Sequence, residues 1–212
     1  MTYIFEDDLE FIKNNLITLP YEICGHILDK NEYKGKFLNT PQFNDYDTYP
    51  SIRGILWYDV NQESKEERLQ CIHSMYSKIM FHTHPNVSKF YPSTEDIIKS
   101  IFFSQHMTSL IFSSIGIWDL KSTDNSHKDL KSNNRDKYER LKTEYHANIR
   151  ADLAEIYNHT YRSKINSIPN GKFDSVLSYL KDFFDKKRYE RIYKITIKFA
   201  PYKEIRNKYI VF

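Results

Sequence analysis

The sequence predicts a mixed α/β fold, because segments of helical periodicity alternate with short β-rich runs along the chain. RGILWYDV (53–60) and KIMFHTH (78–84) are typical of strands. The 212 residues, of which 40% are hydrophobic and only 5 are glycine, predict one globular domain, or one domain with an appendage. The 17 tyrosines and 14 phenylalanines are expected to fill the core in place of leucine.

The first third of the chain is predicted to contain one helix and two strands. An apolar stripe at helical spacing, followed by Pro20, predicts a helix over about 7–17. EICGHIL (22–28) is predicted to form a strand, KNEYKGK (30–36) a turn, and 53–60 the next strand.

The middle of the chain continues the alternation. KEERLQCIHSMYS (65–77) is predicted to be helical, and 78–84 is predicted to be a strand. A helix over 94–105 follows, with Ser93 as its N-cap. SLIFSSIGIWDL (109–120) predicts one bent strand or two short strands.

The last part of the chain begins with the polar tract KSTDNSHKDLKSNNRDK (121–137), which predicts an exposed loop or linker. Helical spacing then resumes, FDSVLSYLKDFF (173–184) predicts a second helix, and RIYKITIKF (191–199) predicts a closing strand. The predicted domain organisation is a core over 1–120, a polar loop or linker over 121–137, and a mostly helical extension over 138–212 that ends in a strand.

Charge and cysteine content limit the classes of partner and compartment. The formal charge of +3 is small and its lysines and arginines are scattered, so neither nucleic acid nor an anionic membrane is an expected partner. No apolar run approaches the roughly 20 residues that span a bilayer, and the first residues are acidic, so a soluble, cytoplasmic protein is expected. Cys24 and Cys71 are interpreted as small core residues in a reducing compartment. The oligomeric state is left open.

The run FHTHPNVSKFYPSTEDI (81–97) has the residue types and spacing of a metal site. Residues two apart in a strand point to the same face, so His82 and His84 can converge on one ion while Thr83 points away. Proline after the second histidine ends the strand, and Asp96, one turn into the next helix, can supply an oxygen ligand. Three such ligands are typical of a catalytic zinc site, which keeps a fourth position for water.

Each of these residues also has a simpler interpretation. Ser93 and Asp96 have the S-x-x-D spacing of a capping box, and a carboxylate in a first helical turn is favoured by the helix dipole without a metal. A lone histidine near a strand end is usually a hydrogen-bonded residue. A metallo-β-lactamase-type site requires an aspartate where Asn86 stands, and a cupin-type site requires further strands where a helix is predicted.

The combination of HxHP with S-x-x-D resembles the signature of the JAMM metalloproteases, which belong to the JAB/MPN family of isopeptidases. LPYEICGHIL (19–28) is similar to the P-x-E-x-C-G-x-L segment of that family, and the order of elements resembles it over roughly residues 5–120. The resemblance implies a JAB/MPN-like, cytidine-deaminase-like sheet flanked by helices. It also implies roles for five residues: Glu22 as the general base, Ser93 as a donor to the developing oxyanion, and His82, His84 and Asp96 as zinc ligands.

One departure from the family affects a ligand. Seven residues separate the HxHP proline from Ser93, whereas the family usually has six. Counting from the histidines selects Glu95, and keeping S-x-x-D together selects Asp96. We choose Asp96, because a helical turn fixes its position relative to Ser93 while a loop absorbs an insertion easily. No ligand spacing supports a role for the remaining histidines, His26, His73, His106, His127, His146 and His159.

The function implied by the resemblance is zinc-dependent hydrolysis of a peptide or isopeptide bond at the C-terminal tail of ubiquitin or a ubiquitin-like protein. Such a tail is extended, and strand addition beside the site is one way to hold it. Two alternatives remain open: a JAMM-fold peptidase that acts on a non-ubiquitin substrate, and a non-catalytic MPN-type scaffold for protein assembly.

Overall fold

The computed structural model describes residues 3–5, 9–10, 12–18, 22–29, 47–50, 53–59, 79–84, 90–102, 108–124, 126–162, 170–205 and 209–211. Over these residues the fold is mixed α/β, as predicted. The predicted turn at 30–36 and the predicted helix at 65–77 lie outside them.

Seven of the described strands form one mixed sheet. In chain order they are β2 (Ile23–Asp29), β3 (Asp47–Pro50), β4 (Arg53–Asp59), β5 (Ile79–His84), β6 (Thr108–Ser113), β7 (Gly116–Ser122) and β8 (Ile195–Pro201). Their order across the sheet is β3-β4-β2-β5-β6-β7-β8. Two further strands, β1 (Tyr3–Phe5) and β9 (Tyr209–Val211), pair with each other in antiparallel orientation. The stretch 109–120 thus forms two strands rather than one bent strand.

Strand β5 has neighbours of opposite kinds. It is antiparallel to β2 and parallel to β6. Parallel neighbours require a crossover connection, and here that connection contains helix α1 (Thr94–Phe102). Because a crossover helix starts after the carboxyl end of the preceding strand, its first turn and the last residues of β5 are brought to the same end of the sheet.

Four further α-helices lie between β7 and β8 in the part of the chain that the structure describes. They are α2 (Ser126–Asn133), α3 (Arg135–Arg162), α4 (Asn170–Lys186) and the short α5 (Tyr189–Tyr193). A π-helical turn, Ile12–Leu16, lies within the predicted first helix, and a 3-10 turn, Tyr202–Glu204, follows β8. None of the helices in the described ranges combines the length and apolar character that crossing a membrane requires.

Backbone contacts divide the chain into two compact units, one within 1–91, 107–118 and 200–212, and the other within 92–106 and 119–199. The core of the first unit joins the π-helical turn to the sheet. Its buried members are Leu9, Ile12, Leu16, Ile23, Phe81, Leu110, Phe112 and Ile117. Leu9, Ile12 and Leu16 therefore form the buried stripe that their spacing predicts.

Aromatic rings make up much of the core of the second unit. Phe102 of α1 lies edge-on to Tyr138 at 4.8 Å between ring centroids. Tyr145 of α3 meets Tyr193 of α5 at 4.8 Å, and Tyr193 meets Tyr189 at the same distance. Perpendicular rings at such distances are favourable pairs. Tyrosine and phenylalanine share this core with leucine, since Leu153, Leu177 and Leu180 are also buried.

The polar tract 121–137 is mostly helical, which differs from the predicted loop. Asp124 Oδ1 accepts hydrogen bonds from Ser126 N at 2.9 Å and from Ser126 Oγ at 2.6 Å, and Asn134 Oδ1 accepts one from Lys137 N at 3.0 Å. These polar residues cap α2 and α3, because side-chain oxygens satisfy N–H groups at helix starts. His127 is buried against Phe102, so the tract also has an apolar contact.

Two further features concern the last strand of the main sheet and the described cysteine. β8 lies beside β7 in that sheet. Cys24 is buried as expected, yet it is disulfide-bonded and so is not a free core thiol. The other cysteine of the chain, Cys71, lies outside the described residues.

Candidate metal centre

Strand alternation brings the two histidines of β5 together. His82 and His84 lie on the same face, and their Nε2 atoms are 3.1 Å apart. Thr83 points to the opposite face, where its Oγ1 accepts a hydrogen bond from Ile23 N at 2.9 Å and its side chain is buried. The geometry expected from the HxH spacing is therefore present.

The ring of His84 is oriented by the backbone of Tyr91. His84 is buried, with 5% of its surface exposed, and its Nδ1 lies 3.1 Å from the carbonyl oxygen of Tyr91. A carbonyl oxygen only accepts hydrogen bonds, so Nδ1 carries the proton and donates it. The lone pair is then on Nε2, the atom that faces His82. Metal-binding histidines are commonly held in this way by a partner on the other ring nitrogen.

Asp96 completes a group of three possible ligands. One ligand atom from each of His82, His84 and Asp96 can be chosen so that all three lie within 4.8 Å of one another. In a tetrahedral zinc site with bonds of about 2.0–2.1 Å, neighbouring ligand atoms are about 3.3 Å apart. The histidine pair already has nearly this separation, so the three side chains could hold a metal ion. Two imidazoles and one carboxylate are a common donor set for zinc.

Asp96 is held by a reciprocal capping box with Ser93. The Asp96 Oδ2 atom accepts hydrogen bonds from Ser93 N at 2.8 Å and from Ser93 Oγ at 2.7 Å. The N–H of Asp96 donates back to Ser93 Oγ at 3.1 Å. The capping interpretation and the ligand interpretation are compatible, because a carboxylate has two oxygens and about four acceptor sites.

The Ser93 hydroxyl is engaged in this arrangement. A hydroxyl has one proton, so while Ser93 Oγ donates to Asp96 it does not donate to a substrate oxygen. Its role as a donor to an oxyanion stays a prediction, and it requires the hydroxyl to turn away from Asp96. The backbone N–H of Ser93 can keep its bond to Asp96 during that turn.

Glu95, the alternative ligand, has a different environment. Its side chain is 63% exposed, and its Oε1 lies 3.1 Å from His146 Nε2 of helix α3. The group that could hold a metal ion contains Asp96 and not Glu95. This agrees with keeping Ser93 and Asp96 together.

Glu22 precedes β2 at the sheet end where the histidines lie. The register of β2 against β5 pairs Cys24 with His82. Directly paired residues share a sheet face, and so do residues two apart in a strand. Glu22 lies one residue before β2, and continued alternation from Cys24 predicts that it shares the face of His82 and His84. The Glu22 side chain is exposed, so water and a substrate can reach it.

Comparison with models of protein families, with curated proteins and with solved structures finds no match to this chain. The resemblance to the JAMM family therefore rests on the sequence motifs alone.

Sequence reasoning missed three residues next to the group. They are Tyr91, whose carbonyl orients His84; His146, which contacts Glu95 across 51 positions of sequence; and Trp118, whose indole N–H binds the carbonyl of Phe90. Only the position of Tyr91 in the HxHP to S-x-x-D loop gives a signal in the sequence. The other two contacts depend on which elements pack together.

Proposed function

We propose that this protein is a JAMM-type zinc metallopeptidase that hydrolyses a peptide or isopeptide bond at the C-terminal tail of ubiquitin or a ubiquitin-like protein. One observation carries the proposal: the Nε2 atoms of His82 and His84 and the carboxylate of Asp96 converge, and Ser93 caps the helix that supplies Asp96. This is the arrangement that the HxHP and S-x-x-D motifs imply together.

The proposed division of labour follows the chemistry of the side chains. His82 and His84 offer neutral imidazole nitrogens and Asp96 offers a carboxylate oxygen, which together hold the ion. When bound, zinc supplies Lewis-acid chemistry, since it polarises a carbonyl and lowers the pKa of a water molecule from about 15.7 toward about 7. A fixed tautomer at His84 supports this role, because only an unprotonated Nε2 can be a ligand.

Glu22 is proposed as the general base and acid. Its carboxylate accepts a proton from the attacking water and returns that proton to the leaving amine, so that the nitrogen departs as a neutral group. Ser93 turns its hydroxyl proton from Asp96 toward the developing oxyanion. The register of Cys24 with His82, two residues after Glu22, supports its part in this scheme.

The proposal is tested by metal content and by cleavage of a ubiquitin-tail substrate. The unmodified protein is expected to bind about one zinc per chain, by elemental analysis, and to release a group joined to the ubiquitin C-terminus. His82→Ala combined with His84→Ala removes both properties, whereas His159→Ala, a histidine outside the group, keeps both. Glu22→Gln keeps the zinc but lowers the rate by about 10² to 10⁴, the range that general-base catalysis contributes.

Other outcomes select the alternatives. A protein that binds zinc and cleaves a peptide but no ubiquitin-like tail is a peptidase with another substrate. A protein that binds no zinc and cleaves no substrate is a non-catalytic scaffold. Loss of zinc in Glu22→Gln means that Glu22 is a ligand and not the base.

A further inference from the structure

The indole of Trp118 binds the backbone beside the candidate metal centre. Trp118 is on β7 and is completely buried. Its Nε1–H donates a short hydrogen bond of 2.7 Å to the carbonyl oxygen of Phe90, whose side chain is also buried. The size and apolar character of the indole ring explain why it is buried. They do not explain why its N–H donates to the Phe90 carbonyl and not to another acceptor.

The next carbonyl along the chain is the one that orients a ligand. Tyr91 O accepts the hydrogen bond from His84 Nδ1 at 3.1 Å. The peptide planes that contain the Phe90 and Tyr91 carbonyls share the Cα atom of Tyr91, so the direction of one depends on the other through φ and ψ of Tyr91.

Pro92 further restricts the φ and ψ angles of Tyr91. A residue that precedes proline is disfavoured in the helical region and favours an extended conformation, which reduces the backbone states open to Tyr91. The rings of Phe90 and Tyr91 also lie perpendicular, 5.5 Å apart between centroids. Holding the Phe90 carbonyl therefore restricts the direction of the Tyr91 carbonyl.

We infer that Trp118 is a positioning residue of the metal centre: its indole N–H holds the Phe90 peptide so that the Tyr91 carbonyl keeps the His84 ring in its ligating orientation and tautomer. The inference rests on the metal site of the proposed function and not on its hydrolytic activity. Trp118 itself touches neither metal nor substrate.

The test removes the N–H and retains the ring. Trp118→Phe is expected to weaken zinc binding by about 10-fold, measured by competition with a chelator, because loss of outer-shell partners costs about 10- to 100-fold in affinity. In the Co²⁺-substituted protein, the visible absorption bands of the metal are expected to shift. In the metal-free protein, ¹⁵N spectra of the His84 ring are expected to show both tautomers instead of one.

A matched control separates positioning from loss of core packing. Ile117 is also buried on β7, and Ile117→Ala removes core contacts without touching the Phe90 carbonyl. This variant is expected to lose stability and to keep the zinc affinity, the Co²⁺ spectrum and the single tautomer. Replacement of Trp118 by β-(3-benzothienyl)alanine, which keeps the bicyclic shape and has sulfur in place of N–H, is expected to behave like Trp118→Phe if the latter folds poorly.

Two results would overturn the inference. One is an unchanged zinc affinity, Co²⁺ spectrum and tautomer in both Trp118 variants. The other is an equal change in Ile117→Ala, which would attribute the effect to general destabilisation. Failure of the proposed hydrolysis is recognised separately, because the unmodified protein then binds zinc but cleaves no ubiquitin-tail substrate, whereas an unmodified protein that binds no zinc would overturn the metal site and this inference together.

Discussion

The two ring nitrogens of His84 have different partners, and this difference determines which of them can bind a metal ion. Nδ1 is committed to the Tyr91 carbonyl and Nε2 faces His82. A metal ion would therefore bind at Nε2 of His84, while Nδ1 keeps its carbonyl partner.

Asp119 is a buried carboxyl group outside the metal centre. It is on β7, only 6% exposed, and its Oδ1 has no hydrogen-bond partner among the described residues. Burial raises the pKa of Asp119 to about 6, and the charges of Lys121 and Lys198 only partly oppose this. The cause is the cost of moving a charge out of water.

The Asp119 carboxyl is predicted to make stability fall as pH rises from about 4 to about 6. Its folded pKa is above the unfolded value, so over this range the folded protein retains a proton that the unfolded chain has lost. Asp119→Asn, which cannot ionise, is expected to gain on the order of 1 to 3 kcal/mol over the unmodified protein at pH 7.5 and less at pH 5. Urea unfolding at both pH values measures this, with exposed Asp182→Asn as the control. An equal difference at both pH values would contradict the assignment.

At the scale of elements, helix α1 combines a core face with a ligand. Its buried residues, Ile97, Ile98, Ile101 and Phe102, recur at helical spacing. The first turn has the opposite character, since Glu95 is exposed and Asp96 is held by Ser93. Neighbouring helical positions point about 100° apart, so the two carboxylates face different surroundings.

This geometry predicts opposite effects of two similar substitutions in α1. Asp96→Asn is expected to weaken zinc binding by more than about 100-fold, because it removes a charged ligand. Loss of a residue that only supports a ligand already lowers metal affinity by about 10- to 100-fold. Glu95→Gln, one position away, is expected to leave zinc affinity nearly unchanged, because Glu95 contacts His146. Zinc titration of the two variants measures the difference. The reverse result would show that the ligand is counted from the histidines and that Ser93 does not act at the site.

At the scale of the whole molecule, the chain order separates two neighbouring strands of the sheet by a long helical segment. The segment between β7 and β8 contains helices α2 to α5, and β8 then lies beside β7 in the sheet. These helices are therefore inserted between two neighbouring strands and do not follow a finished core. Strand β9 pairs with β1, at the other end of the sequence.

Zinc is predicted to stabilise the whole protein against heat. A ligand that binds only the folded state at 100 times its dissociation constant adds about 2.7 kcal/mol to the free energy of unfolding. For a chain of this size that corresponds to a rise in Tm of roughly 5 to 10 °C. Scanning calorimetry with zinc and with a chelator measures the shift, and His82→Ala combined with His84→Ala is expected to show none. Equal shifts in both proteins would place the stabilising zinc at another site.

Local features of this protein were predictable from the sequence. The strand that carries His82 and His84, the start of α1 at Thr94 and the capping box of Ser93 with Asp96 all match their predictions. The reason is that strand alternation, helix periodicity and capping depend on residues within about four positions of each other.

Tertiary structure alone decided the remaining features. The tautomer of His84 depends on a carbonyl at residue 91, the Phe90 peptide depends on an indole 28 positions away, and β8 pairs beside β7 after a long helical segment. Most of the polar tract 121–137 is helical, where composition alone predicted a loop, and capping side chains and the packing of His127 on Phe102 support these helices. Contacts between residues far apart in sequence depend on how the elements pack, and no local pattern encodes that packing.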